Sequence, residues 1–104
     1  MSTESMILNE QIFEWDKQKN IANIKKHGVS FKIAALAFFD PSSTLLDDAG
    51  HSYDEERFIL VGFSKGASLL TVCHCYRDDG DVVRIISARS ATREEQELYG
   101  GYYD

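Results

Sequence analysis

The stretch Val83-Arg84-Ile85-Ile86-Ser87-Ala88-Arg89 is typical of a β-strand, because apolar residues run through it and several are β-branched. It carries two arginines and leads into a segment of helical character that contains Glu94 and Tyr99. An arginine is costly to bury without a partner, so an apolar strand with two of them indicates an anion nearby. That anion is either a carboxylate of the protein or a phosphate of a ligand.

Two further strand-like segments precede this one and are joined by turns. Residues 57–64 and 68–76 are rich in apolar and aromatic side chains, and Lys65-Gly66-Ala67 between them predicts a hairpin turn. The polar run Asp78-Asp79-Gly80-Asp81 predicts the next turn, and residues 44–47 indicate another short strand. The C-terminal half therefore predicts a small antiparallel sheet.

The N-terminal half predicts one strand followed by two helices. Residues 11–15 have the composition of a strand, and Asp16 suits the N-cap of a helix that runs to about His27. Gly28 suits the position that ends this helix, and Ser30 suits the N-cap of the next.

These segments, with a last helix over residues 91–99, predict an α+β fold. We expect a small antiparallel sheet with two N-terminal helices and one C-terminal helix, packed mainly on one face. The other face stays partly open, and we expect function there. The expected organisation is a single domain over residues 1–104, with its core at about 11–99 and a frayed segment at 1–9.

The charge of the chain is acidic but unevenly distributed. The 17 acidic and 11 basic residues give a formal net charge of −6, which argues against general attraction to nucleic acid. Residues 16–32 hold five lysines against the single acid Asp16, a local sum of +4. This segment is either a site for an anion or a solvated helix face.

The sequence predicts a cytoplasmic protein without a membrane span. It has no apolar run of the roughly 18 residues that a span needs, and residues 1–10 do not resemble a secretory signal. Cys73 and Cys75 are therefore expected to be reduced thiols. A metal pair formed by these cysteines, or a metal site in the acidic loop 47–56, is an alternative that the spacing does not favour. We expect no metal and no cofactor.

Basic side chains that fall in or beside the predicted strands are the candidates for chemistry, namely Arg57, His74, Arg77, Arg84 and Arg89. A histidine titrates near neutral pH and suits proton transfer, although one in an apolar strand also suits a hydrogen-bonded core position. The arginines suit a phosphate as a group. Singly they suit ion pairs, Arg57 with Glu55 and Glu56, and Arg84 or Arg89 with Glu14, Asp16 or Glu94. Strict alternation of side chains puts Arg84 and Arg89 on opposite faces of their strand.

Two blocks of the sequence, taken in combination, resemble the signature of BrnT-type toxins: Lys26-His27-Gly28-Val29-Ser30-Phe31 and Arg84-Ile85-Ile86-Ser87-Ala88-Arg89. The resemblance covers about residues 11–99. It also includes Phe13-Glu14-Trp15-Asp16, Lys19-Asn20, Asn23, Phe39-Asp40, Glu56-Arg57, Gly62, His74, Ser90-Ala91, Glu94 and Tyr99.

The resemblance implies the toxin of a type II toxin–antitoxin pair with a RelE-like fold. Members of this family are similar to small metal-independent ribonucleases, so RNA is the expected substrate. The implied partner is a BrnA-like antitoxin that carries a DNA-binding domain. Operator DNA is then reached only through the antitoxin, and no membrane is involved.

On this hypothesis the chain cleaves RNA by attack of the ribose 2′-hydroxyl. We expect His74 to transfer protons, with Lys26 or His27 in reserve, and Tyr99 to orient a group or stack on a base. The side chains expected to contact phosphate are Arg57, Arg84 and Arg89. Those expected to bind the rest of the RNA are Lys19, Lys26, His27 and Arg77.

A second hypothesis is a partner-binding co-repressor subunit without catalysis. The net charge of −6 and the carboxylates available to every arginine favour it. In either case we expect Glu94 to orient an arginine rather than to take up a proton.

Overall fold

The computed structural model describes residues 2–48 and 55–99. Its strands are β1 (Thr3–Leu8), β2 (Gln11–Asp16), β3 (Thr44–Asp47), β4 (Phe58–Phe63), β5 (Leu69–Arg77) and β6 (Val82–Ser90). Its α-helices are α1 (Lys17–His27), α2 (Phe31–Leu36) and α3 (Arg93–Leu98). Short 3-10 turns follow α2 at Ala37–Phe39 and β5 at Asp78–Gly80. The predicted α+β class is confirmed.

The strands form one mixed sheet in the order β1-β2-β6-β5-β4-β3. Neighbouring strands are antiparallel except β2 and β6, which run parallel through Ile12–Glu14 and Val82–Arg84. The prediction of a purely antiparallel sheet is therefore wrong. The parallel pair places Phe13 beside Val83 in the core. On the other face it places Glu14 beside Arg84, so that the two charged side chains are neighbours.

The prediction that residues 1–9 are frayed is also wrong for the residues described. Thr3–Leu8 forms β1 and pairs with β2 along its whole length. Met6 and Leu8 pack against the core, and Glu4 Oε1 accepts a hydrogen bond of 2.8 Å from Trp15 Nε1. The side chains of this segment alternate between the core and solvent, and its polar composition made this alternation hard to recognise from the sequence.

The predicted end of α1 and the predicted start of α2 are confirmed. Gly28 ends α1 in the left-handed region, at φ 73°, which a glycine adopts without strain. Ser30 caps α2 by accepting a hydrogen bond from the backbone N–H of Ile33. Helix α3 begins later than predicted, because Thr92 and Glu95 form a reciprocal capping box that fixes its first residue at Arg93.

The core lies between α2, the turn that follows it and one face of the sheet, and helix α1 contributes no apolar side chain to it. Its largest fully buried apolar side chains are Trp15, Phe13, Phe31, Leu70 and Ile85. Helix α1 lies where β2 ends, and there the side chain of Asn23 hydrogen-bonds to both the N–H and the carbonyl of Ala88 in β6. This contact holds α1 beside the part of β6 that lies beyond its pairing with β2. Within the residues described, no helix is long and apolar enough to cross a membrane.

Candidate functional site

A β-bulge in β6 decides which side chains share the open face of the sheet. His74 pairs with Ile85 and Cys73 pairs with Ser87, so Ile86 is an extra residue between the two pairs. The bulge shifts the alternation by one residue. Arg84 pairs with Cys75 and Arg89 with Thr71, and both arginines therefore lie on the same face. The prediction that they lie on opposite faces is wrong because alternation fails at a bulge.

Three adjoining cavities on this face have Ile86 in common, and we call them together the arginine groove. The central cavity is lined by Arg57, Thr71 and Arg89 among others. A second, near the start of α1, is lined by Asp16, Lys19, Arg57, Arg77 and Arg84 among others. A third, along the side of α1, is lined by Lys19, Asn23, Lys26 and His27 with Ser87. The groove thus unites most of the predicted site residues.

Three arginines of the groove are paired with glutamates. Arg77 bonds Glu55 at 2.8 Å, Arg84 bonds Glu14 at 2.8 Å, and Arg89 bonds Glu95 at 2.8 Å. The guanidinium groups still reach solvent, since the side chains of Arg77, Arg84 and Arg89 are 43%, 22% and 39% exposed. The groove therefore presents oriented cations whose charge is balanced at rest.

Glu95 is the carboxylate that orients Arg89, and Glu94 is exposed on the helix surface. The prediction that Glu94 orients an arginine is wrong by one residue, because the capping box with Thr92 turns Glu95, and not Glu94, toward Arg89. Glu95 receives two bonds from Arg89, at 2.8 and 2.9 Å, and one of 2.7 Å from Thr71 Oγ1. The bond from Arg89 is the main cause that lowers the pKa of Glu95 to about 2. Glu95 is thus an anion at neutral pH and a weak proton acceptor.

Helix α1 supplies a row of polar side chains to the groove. Lys19, Asn23, Lys26 and His27 follow one another at spacings of four, three and one residues, which places them on the same side of the helix. Asn23 is buried against β6, while both lysines and His27 are exposed. The predicted RNA-binding residues of α1 therefore lie together beside Ser87 and Ile86.

His74 lies in the core and away from the groove. It is fully buried, with Nδ1 3.1 Å from the carbonyl oxygen of Val72 and Nε2 3.3 Å from the Tyr76 hydroxyl. The rings of Phe38 and Phe58 pack against it. Burial lowers the pKa of His74 to about 4, so the imidazole is neutral at physiological pH. The structure does not bring His74 together with the arginines.

Tyr99 also stands apart from the groove. Its hydroxyl donates a hydrogen bond of 2.6 Å to Asp40 Oδ2, which accepts a second bond from the N–H of Phe63. Thr44 Oγ1 donates to the carbonyl of Leu98 nearby, at 2.9 Å. These bonds attach the end of α3 to the loop after α2 and to β3.

The two cysteines lie on the same face as the arginines. Cys73 Sγ is 3.7 Å from Asp48 Oδ2, and burial is the main cause that raises the pKa of Cys73 to about 11. The thiol is therefore protonated and a poor nucleophile. Within residues 2–48 and 55–99 no three His, Cys, Asp or Glu side chains are placed to hold a metal ion. Positions 49–54 of the acidic loop considered above lie outside the described residues.

Three residues shape the groove in ways that the sequence interpretation did not predict. Ile86 is the bulged residue, Asn23 holds α1 to β6, and Asp16 is buried in the wall of the cavity near the start of α1. The capping-box pattern at Thr92 and Glu95 was a sequence signal for the partner of Arg89. The apolar run of β6 contains no signal that marks the bulge.

Comparisons with known proteins show the family of this chain. A family model described as the ribonuclease toxin BrnT of type II toxin–antitoxin systems matches residues 15–95. The 1.1 Å crystal structure of the ribonuclease toxin BrnT of Brucella abortus is similar, with 29% identity and a TM-score of 0.57. That match covers 76% of this chain and 94% of the Brucella chain. A search of curated proteins gave no significant match.

The family match includes the whole of α1 and of β4, β5 and β6, and so the residues that line most of the groove. A type II system pairs each toxin with an antitoxin, which makes an antitoxin the implied partner here. The chain therefore belongs to the BrnT family of ribonuclease toxins of type II toxin–antitoxin systems.

Proposed function

We propose that the chain is an endoribonuclease that cleaves RNA in the arginine groove by a metal-independent mechanism. The observation that carries the proposal is the bulge at Ile86, which brings Arg84 and Arg89 to one open face. Arg57 and Lys19 line the same groove. This family is one of ribonuclease toxins, and a groove of convergent cations is what a phosphodiester substrate requires.

The chemistry suits RNA because the nucleophile belongs to the substrate. The ribose 2′-oxygen attacks the adjacent phosphorus, and the bond to the 5′-oxygen of the next nucleotide breaks. Negative charge increases on the phosphate oxygens in the transition state. Guanidinium groups that are already oriented stabilise that charge without reorganising, and Glu14 and Glu95 orient Arg84 and Arg89.

Residue roles follow from position in the groove. Arg57, Arg84 and Arg89 contact the scissile phosphate. Lys19 lines the same cavity as Arg84 and binds the RNA at that phosphate, and the strand on either side is bound by Lys26, His27 and Arg77. His74 is left out of the mechanism because it is fully buried, and Tyr99 because it is bonded to Asp40. Lys26 and His27, which the sequence offered in reserve for proton transfer, are exposed along the side of α1 and bind RNA there.

The antitoxin that we propose is BrnA-like, with a DNA-binding domain that connects the complex to its operator. The net charge of −6 suits a basic segment of such a partner. Operator DNA is then contacted through the antitoxin, while this chain provides the acidic surface. Covering the arginine groove would neutralise the ribonuclease.

One observation favours the second candidate, a partner-binding subunit without catalysis. Arg77, Arg84 and Arg89 are each neutralised by a glutamate, so the resting groove has less positive charge than its arginines alone suggest. A phosphate must compete with these carboxylates for the guanidinium groups. The two candidates predict opposite results when the chain is expressed without its partner.

The test is induced expression of the chain alone in bacterial cells, beside an Arg89→Ala variant that circular dichroism shows to be folded. Growth arrest accompanied by new RNA 5′ ends that are missing in the variant supports the ribonuclease. Normal growth with abundant, folded wild-type protein supports the partner-binding subunit. New RNA ends that persist in the Arg89→Ala variant would place the chemistry outside the arginine groove.

A further inference from the structure

Asp16 is a buried carboxylate whose expected structural role is not fulfilled. It occupies the N-cap position of α1, yet its side chain makes no capping hydrogen bond. The residue is 8% exposed, and its Oδ1 is buried without a hydrogen-bond donor among the residues described. Buried polar atoms of native proteins are nearly always paired, and exceptions often mark functional sites. Asp16 therefore has an acceptor to offer to a bound group.

The surroundings of Asp16 indicate what kind of group that is. Asp16, Lys19, Arg57 and Arg84 line the same cavity, of about 210 Å³. Glu55 also lines it, and that carboxylate is paired with Arg77. The cations suit a phosphate, and an acceptor beside them suits a hydroxyl donor on the same ligand. RNA has this pairing in every nucleotide, because the 2′-hydroxyl adjoins the 3′-phosphate. DNA has the phosphate without the hydroxyl.

We propose that Asp16 accepts the 2′-hydroxyl of the nucleotide whose 3′-phosphate is held by Arg84, and that it takes up the hydroxyl proton during cleavage. This assignment rests on the proposed ribonuclease function. It places the scissile phosphate at the start of α1. With a rise of about 1.5 Å per residue, His27 is roughly 16 Å further along the helix. Lys26 and His27 therefore bind flanking nucleotides and do not share this phosphate.

The reaction balances with groups of this cavity. As the bond between the 2′-oxygen and phosphorus forms, the hydroxyl proton moves to the Asp16 carboxylate. The bond between phosphorus and the 5′-oxygen breaks, and the Lys19 ammonium donates a proton to that leaving oxygen. The products are a 2′,3′-cyclic phosphate and a 5′-hydroxyl, and exchange with water restores both side chains.

The experiment separates recognition of the hydroxyl from cleavage. First, binding of mixed ribonucleoside 3′,5′-bisphosphates is compared with binding of the 2′-deoxy forms by NMR titration. These ligands have no 5′-linked leaving nucleoside. Second, kcat and KM for cleavage of a mixed-sequence single-stranded RNA oligonucleotide are measured. The proteins are wild type, Asp16→Ala, Asp16→Asn and the control Asp47→Asn, which alters an exposed acid of β3.

We expect the wild type to bind the ribose ligands about tenfold more tightly, as a hydrogen bond to a charged acceptor allows. Asp16→Ala should remove this preference, and the control should keep it. Asp16→Asn, which preserves shape, should lower kcat about 100-fold or more with little change in KM, because it cannot take up a proton.

Two results would overturn the assignment: a wild type that does not prefer the ribose ligands, or a preference that persists in Asp16→Ala. Cleavage by Asp16→Asn at the wild-type rate would overturn the proton-transfer role. If the wild type cleaves no RNA, the ribonuclease function fails, and the bisphosphate comparison still decides whether Asp16 binds the hydroxyl. The comparison of ribose and 2′-deoxy ligands is made on the wild type, so it can be completed even if the Asp16 variants do not fold.

Discussion

The side-chain amide of Asn23 forms the hydrogen bonds that a neighbouring strand would otherwise give to Ala88. Asn23 Nδ2 donates to the carbonyl of Ala88 at 2.8 Å, and the Ala88 N–H donates to Asn23 Oδ1 at 3.1 Å. Nδ2 also donates to the carbonyl of Val29 at 2.8 Å. One buried side chain therefore joins α1 to β6, and it fixes the position of these two elements of the arginine groove relative to each other.

Replacement of Asn23 by alanine should lower the free energy of unfolding by about 2–4 kcal/mol, because it leaves three buried backbone groups without a partner. Urea denaturation followed by circular dichroism measures the loss. Gln18→Ala, on the exposed side of the same helix, is the matched control and should change stability by less than about 0.5 kcal/mol. Equal stabilities for the two variants would show that the amide is not the connection between α1 and β6.

The pair formed by Arg89 and Glu95 should make stability depend on pH in the acidic range. The pKa of Glu95 is about 2 in the folded chain and near 4.5 when unfolded, so the stabilisation is present above about pH 4.5 and is lost as the pH falls toward 2. Between pH 6 and pH 3 the contribution should fall by about 1–2 kcal/mol, allowing for solvent around the half-exposed Arg89.

Urea denaturation at pH 6 and pH 3 tests this for wild type, Glu95→Gln and the exposed control Glu97→Gln. We expect Glu95→Gln to be less stable than wild type at pH 6 and close to it at pH 3. Glu97→Gln should follow the wild type at both values. A stability deficit of Glu95→Gln that is the same at pH 6 and pH 3 would contradict the ion pair as its cause.

His74 should make stability depend on pH in a higher range. Its pKa is about 4 in the folded chain and about 6.5 unfolded, so the unfolded chain takes up the proton first as the pH falls. The contribution is complete above about pH 6.5 and declines toward pH 4. From pH 7.5 to pH 5 the loss should be about 2 kcal/mol.

His74→Phe should weaken this pH dependence and should retain RNA cleavage, because the ring lies among Phe38, Phe58 and Tyr76 and does not reach the groove. His27→Gln, which alters an exposed imidazole, is the control for stability and should keep the wild-type slope. Denaturation at the two pH values and an RNA cleavage assay at pH 7.5 measure both effects. A folded His74→Phe variant without activity would return His74 to the mechanism.

Local signals in the sequence predicted most of the elements. Gly28 and Ser30 gave the end of α1 and the start of α2, because a left-handed glycine and a capping serine act within a few residues. The same signals placed the lysines of α1 on a helix. Turn residues likewise separated β4, β5 and β6.

Long-range pairing was not accessible in the same way. The parallel contact between β2 and β6 joins residues 70 positions apart, and no local pattern encodes it. The extra residue at the bulge, Ile86, is apolar like its neighbours, so the sequence of β6 reads as a regular strand. The candidate site was therefore predicted as a set of residue types, while the common face of the arginines and the position of His74 in the core required the structure.

Cleavage of RNA by purified protein, compared between variants of equal charge change, tests the role of the groove most directly. Arg84→Gln and Arg89→Gln alter the groove, and Arg93→Gln alters an exposed arginine at the start of α3. Removing one charge-stabilising group should lower kcat about 100-fold or more in each groove variant. Arg93→Gln should cleave at the wild-type rate. Groove variants that are folded and cleave RNA as fast as Arg93→Gln would contradict an active site at the arginine groove.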